Sequence, residues 1–158
     1  MEKSTLDIMW IVIAASLVFF MQAGFAFVES GFTRSKNSIN VAIKNLTDLG
    51  ISLLVYWIIG FALMFGATKA GLFGTSHLTP SLDATWLAVF FLFQAMFCST
   101  SATIVSGAVA ERMRFSSYIV ATLIMAGIIY PVSGHWAWGG AMEGSSVGFA
   151  TITSACEN

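Results

Sequence analysis

WLAVFFLFQAMFCSTSATIVSGAVAERMR, residues 86–114, decides the fold. From Trp86 to Ala110 there is no charged side chain, and Glu111-Arg112-Met113-Arg114 follows at once. About 20 apolar residues suffice to cross a bilayer as an α-helix, so the stretch reads as a membrane span. It carries more than a lipid-facing helix needs. Phe93 and Phe97 stand four apart, and the hydroxyls of Ser99, Thr100, Ser101, Thr103 and Ser106 follow.

The same pattern recurs on either side. Charged residues divide the chain into charge-free runs at 8–28, 49–68, 86–110 and 115–142. Each is long enough to span. In lipid each must be helical, because every backbone N–H and C=O needs an internal partner. The last run exceeds the need. Its end, from Pro131 through Gly134, Gly139 and Gly140, is expected to leave the hydrocarbon, which sets the spans at about 8–28, 49–68, 86–110 and 115–138. Composition agrees, at 57% hydrophobic and 9% charged, with a mean hydropathy of +0.82. Soluble domains are about one quarter charged. The expected fold is all-α, a polytopic transmembrane helical bundle. A net charge of −1 leaves no electrostatic footprint for nucleic acid.

The basic residues orient the bundle. Arg34, Lys36 and Lys44 lie between the first and second runs, and Arg112 and Arg114 between the third and fourth. Lys3 and Lys69 lie on the other side. The excess places the first and third connections in the cytoplasm and the N-terminus outside a cell membrane. The start, Met1-Glu2-Lys3, is hardly basic, and the run after it is longer than the roughly 7–15 residues of a signal h-region. It is therefore read as a span and not as a cleaved signal. Residues 33–45 interleave Ile39, Val41 and Ile43 with polar positions, which suits a short interfacial helix leading into the second span. Residues 71–85, with His77, are expected as an extracellular loop. Cys98, mid-membrane, and Cys156, near the C-terminus, are too few and too ill-placed for a disulfide framework or a metal site, and Cys98 is assigned to packing. No cofactor is expected. Asn45-Leu46-Thr47 matches a glycosylation sequon on the cytoplasmic side and is read as chance.

Positions four apart share a helix face. Ala95, Ser99, Thr103 and Gly107 form one small-residue stripe; Ala102, Ser106 and Ala110 form another. Such stripes let helices approach closely in lipid. The fourth run ends Tyr130-Pro131-Val132-Ser133-Gly134-His135-Trp136-Ala137-Trp138-Gly139-Gly140. Two readings fit Tyr130, Trp136 and Trp138: an aromatic belt at the outer interface, or a vestibule. In the second, Trp138 converges with Phe93 and Phe97, which lie in the outer half of the third span. Aromatic faces at a mouth suit a small, weakly hydrated cation, not an anion or a sugar. His135 is expected as a structural hydrogen-bonding partner, and Gln22 as a bond to a neighbouring helix. Glu29 is either a pathway acid or an acid that reaches the interface.

Several of these strings resemble one family. Met21-Gln22-Ala23-Gly24-Phe25-Ala26-Phe27-Val28-Glu29-Ser30-Gly31, then Arg34-Ser35-Lys36-Asn37 and Lys44-Asn45-Leu46, are similar to the first helix and following loop of ammonium transporters of the Amt/Mep/Rh family. Phe93-Gln94-Ala95-Met96-Phe97 and Ile104-Val105-Ser106-Gly107-Ala108-Val109-Ala110-Glu111-Arg112-Met113 resemble its third helix. Tyr130-Pro131 with His135-Trp136-Ala137-Trp138-Gly139-Gly140 resembles the end of its fourth. The likeness runs over about 6–144.

The resemblance implies a transporter, not an enzyme. The family forms trimers of helical subunits, each with its own pore, that move ammonium or ammonia across the lipid bilayer. It implies that Trp138 holds ammonium by cation–π contact at an external site. Phe97 would be one of two stacked gate residues, and Phe93 would line the vestibule beside it. Nitrogen then passes as ammonia through a narrow apolar pore, and two pore histidines handle the proton. A regulatory protein at the cytoplasmic face is a further implied partner. The family has about eleven spans, built as inverted repeats of five plus one. The second gate Phe and both pore histidines belong to later helices, and His135 matches a different position. The family's Asp soon after the Trp138 motif has no counterpart in 141–158. Residues 1–144 are thus expected as the N-terminal part of a transporter domain. Residues 145–158 are expected as a divergent tail of a truncated or frameshifted product, inactive and poorly stable alone. Two other readings stay open: an ammonium sensor fused to a signalling domain, and a four-span structural subunit.

Overall fold

The computed structural model describes residues 4–66, 68–69, 73–74, 79–80, 82–109 and 112–138. His77, Ala110, Glu111, Gly139, Gly140, Cys156 and the tail at 145–158 lie outside the described residues. Among the described residues, four helices are long and apolar enough to span a membrane: α1 (Thr5–Phe32), α2 (Ser35–Phe65), α3 (Thr85–Ala108) and α4 (Phe115–Trp138). The fold is an all-α bundle. One short antiparallel ladder follows α2, with Thr68 opposite Gly74 and Lys69 opposite Phe73.

α1 starts on a capping box. The Ser4 hydroxyl accepts from the Leu6 N–H, and the Ser4 N–H donates to Asp7. The pairing satisfies orphan donors that lipid cannot. The helix buries a narrow stripe, Ala15, Gln22 and Glu29, seven residues apart. Seven residues are close to two full turns, so all three face the same way. Against that stripe lie α2 and α3. α2 and α3 each touch all three other helices and together form the centre of the bundle.

The second span begins well before 49. Ser35–Asn37 form a 3₁₀ turn that runs directly into Ser38–Val55. The segment expected as a separate interfacial helix is therefore the start of α2 itself. The reason is the face it presents. Val41, Lys44, Asn45, Asp48 and Ser52 are all buried, at a spacing that puts them on one side of a helix. Asn45 and Asp48 find partners on α1, α3 and α4, and Lys44 bonds the Met113 carbonyl just before α4, so the charges do not end the span.

The bundle has two zones. Near the start of α3 the core is aromatic and apolar: Tyr56, Phe61, Met64, Phe65, Ala95, Cys98 and Ala126. Tyr56 sits 5.9 Å from the Phe91 ring, stacked, and 6.3 Å from Phe61 at 89°. Such offset and edge-to-face pairs are worth about 0.5–1.5 kcal/mol each beyond area burial. Toward the end of α3 the core turns polar, with Gln22, Glu29, Asn45, Asp48, Thr103, Ser106 and Thr122 all buried.

Two helices widen where they cross. Tyr56–Gly60 in α2 and Met125–Ile129 in α4 are π turns packed on each other. Pro131 accounts for the one in α4. The Tyr130 N–H bonds back to the Met125 carbonyl, and Pro131 has no N–H to offer. The Ala126 carbonyl thereby loses both of its main-chain donors. The Cys98 thiol, 3.8 Å away, donates to it instead. Cys98, read as packing, thus also caps a carbonyl that the proline leaves open.

Candidate substrate site

Phe93, Gln94, Phe97, Tyr130 and Trp138 line one cleft of about 270 Å³. Two helices build it. α3 supplies Phe93 and Phe97 one turn apart, and their rings meet edge to face, 4.9 Å between centroids and 68° between planes. α4 supplies Tyr130 and Trp138 beyond its π turn, which inserts an extra residue and re-registers the last two turns of the helix. Phe97 is 37% exposed and Trp138 58%, so both keep free ring surface. The lining has no charged side chain. What it offers is aromatic faces, one amide and one phenol.

The structure brings together the three residues singled out in the sequence. It adds Gln94, to which the sequence reading gave no role, and Tyr130, which that reading left between belt and vestibule. Trp136 is half exposed and does not line the cleft. His135 does not line it either. It is buried, and its Nδ1–H donates to the Met64 carbonyl at 2.7 Å, tying the end of α4 to the end of α2. A carbonyl only accepts, so the contact fixes the proton on Nδ1. Gln22 bonds Thr103 on a neighbouring helix at 2.5 Å.

In the small-residue stripes of α3, Ala95, Ser99 and Thr103 are buried in one and Ala102 and Ser106 in the other, while Gly107 is exposed and Ala110 lies outside the described residues. The buried members pack helices, and their hydroxyls do more. Thr103 accepts from Gln22 on α1 and reaches the Asp48 carboxylate on α2 at 3.3 Å. Thr122 on α4 donates to the other Asp48 oxygen at 2.7 Å. Glu29 accepts from Asn45 at 2.8 Å and Ser106 at 3.1 Å on the same oxygen. Lys44 donates to the Met113 carbonyl at 3.2 Å and lies 5.6 Å from the centre of the Tyr118 ring. Glu29 is thus in this polar seam and not in the aromatic cleft. Thirteen residues of α3 separate Phe93 from Ser106, about 20 Å at 1.5 Å per residue. Asp48 was missed because it bounded a charge-free run.

The chain belongs to the Ammonium Transporter Family, whose profile matches residues 9–154. It is similar to the ammonium transporter Amt2 of Archaeoglobus fulgidus, 46% identical over 143 residues, which cover 89% of this chain and 30% of that one. Among solved structures it is similar to a "Sensor Amt Protein", with a TM-score of 0.86 and 42% identity over 92% of this chain and 37% of that one. Mep2 of Candida albicans gives a TM-score of 0.70 and 27% identity over 85% and 31%. The chain spans about a quarter to a third of the length of the curated relatives it matches.

Proposed function

We propose that this chain is the N-terminal part of an ammonium-conducting subunit. Trp138, Phe97 and Phe93 hold ammonium at the outer mouth, and nitrogen then moves as ammonia through an apolar pore. One observation carries the reading: residues from two helices, far apart in sequence, line a single uncharged cleft. Ring faces attract a weakly hydrated cation, by about 2 kcal/mol where the ion is desolvated. The Gln94 amide and Tyr130 phenol add acceptors for the N–H donors that potassium lacks. Entry of the bare ion into an apolar pore costs several kcal/mol, and release of the proton avoids much of that cost.

The cytoplasmic excess of Lys and Arg supports an N-terminus outside. In this reading full-length subunits form homotrimers and meet a regulatory protein at the cytoplasmic face. The transporter part occupies 1–144, and 145–158 is a divergent tail. The opposing gate Phe and the proton-handling histidines lie in later helices. Liposomes holding only the 158-residue chain are therefore expected to take up no labelled methylammonium above protein-free controls, and uptake above them would overturn this.

Trp138→Leu in the full-length protein tests the site itself. Loss of about 2 kcal/mol of cation–π attraction predicts a roughly thirtyfold weaker apparent affinity for ammonium. Unchanged affinity in that variant and in Phe97→Leu would leave the aromatics as interface belts on a structural subunit. The likeness to a sensor Amt protein favours a second reading, in which the same site feeds a signalling domain. Flux and signalling output, measured on one preparation, separate the two.

A further inference from the structure

The polar seam contains acceptors that nothing in the fold satisfies. Glu29 Oε1, Gln22 Oε1 and Asn45 Oδ1 are buried and have no hydrogen-bond partner. The residues are 7%, 7% and 3% exposed. Gln22 and Glu29 share the buried stripe of α1, and Asn45 donates to the other oxygen of Glu29. Carboxylate and amide oxygens of this kind only accept. Buried polar groups are almost always paired, so each of these orphan acceptors, and the charged Glu29 first, calls for a donor or a cation. Glu29 has Asn45 and Ser106 as its partners and, among the described residues, no cationic one. An ionised carboxylate buried without a counter-charge costs several kcal/mol.

There is room for one. A cleft of about 340 Å³ between α1 and α3 is lined by Glu29, Thr103 and Gly107 and walled by Phe25 and Phe32. A second cleft, about 260 Å³ between α1 and α2, includes Gln22 and Asn45. Gly107 matters here. A Cβ added to it would meet Glu29 Oε1 at 3.2 Å, so the missing side chain leaves space beside that oxygen on the α3 side.

We propose that Glu29 is the anionic half of a second cation site, at the far end of the bundle from the aromatic cleft, taking a small monovalent cation. Thr103 lies on the same cleft, which Phe25 and Phe32 wall, and Asn45 holds the other Glu29 oxygen in place. The site goes beyond the transport reading and does not depend on it.

Infrared difference spectra of the lipid-reconstituted full-length protein test it, with perfusion switched from choline chloride to ammonium chloride or sodium chloride. Ammonium is expected to shift a carboxylate stretching band that is lost in Glu29→Gln and kept in Trp138→Leu. A response to sodium as well marks a general monovalent site, and a response to ammonium alone marks one that uses N–H donors. If Glu29→Gln does not fold, Gly107→Ala serves. Its methyl group narrows the cleft, leaves the bonds to Asn45 and Ser106 in place, and is expected to weaken the response several-fold. No cation-dependent carboxylate band, a band unchanged in Glu29→Gln, or a neutral-acid carbonyl band for Glu29 under every perfusion would overturn the proposal. Because Trp138→Leu keeps the Glu29 band whatever it does to transport, the two sites fail or stand separately.

Discussion

Thr122→Val is expected to destabilise the protein by about 2–3 kcal/mol, the value of a hydrogen bond to a charged group lost in a buried site. Valine has nearly the same shape as threonine, so packing around Tyr118 and Asp48 is kept and only the 2.7 Å bond to Asp48 Oδ1 is removed. Asp48 is fully buried. Thr103, its other donor, sits at 3.3 Å and is also placed to bond the Ser99 carbonyl at 3.2 Å. A hydroxyl has one hydrogen to give, so Thr103 cannot make up the loss. Denaturant titration of the reconstituted protein reads the effect. In an Asp48→Leu background the same change is expected to cost far less, because the acceptor is gone. Equal costs in the two backgrounds would show that the bond carries no weight.

Gly60→Ala is expected to cost about 3 kcal/mol, at the upper end for overpacking a filled core. The added methyl would stand 2.6 Å from Tyr56 Cδ2, 3.2 Å from the Ala126 carbonyl and 3.2 Å from Pro131. None of these yields easily. Tyr56 is held among Phe61, Phe91 and Tyr130, and the carbonyl belongs to the π turn of α4. Gly134 makes a useful contrast. The three atoms nearest a Cβ there all belong to the Met64 side chain and none to backbone, so Gly134→Ala is expected to cost less. A lowered melting temperature for Gly60→Ala, well beyond that of Gly134→Ala, checks the pair.

Much of the fold was legible because lipid leaves a span few options. Long charge-free runs must be helices, and four were counted from the charges alone. The limits of the second were not legible by that rule. Asp48 stands just before the second charge-free run and Lys44 four residues earlier, yet both lie inside α2, because their heads are met by neighbouring parts of the bundle. The signal was present in another form. Lys44, Asn45, Asp48 and Ser52 fall on one helical face, and Ala15, Gln22 and Glu29 recur every seven residues. Periodicity of polar positions, and not only their absence, marks a buried face. The bond of Gln22 to α3 and the structural bond of His135 were foreseen from residue type. Their partners, Thr103 and the Met64 carbonyl, were not, because only tertiary packing names them. Of the two π turns, Pro131 gives away one; Tyr56–Gly60 contains no proline, and nothing local announces it. The convergence of Phe93, Phe97 and Trp138 followed from span orientation, whereas Gln94 needed the crossing of α3 and α4 to place it at the cleft.

The polar seam also bears on the order in which this chain enters the bilayer. A charged residue near the centre of a lone helix costs about 2.5–3.5 kcal/mol to insert, and α2 carries Lys44, Asn45 and Asp48 together. Their partners arrive late in synthesis. Ser106 and Thr103 are on α3, and Thr122 is on α4. Until those helices emerge, α1 and α2 can satisfy only the Glu29–Asn45 bond between themselves. The first hairpin is thus poorly suited to release into lipid on its own, and it gains from waiting at the insertion machinery for the second. In this protein, the residues that join the finished bundle also make its early helices dependent on later ones.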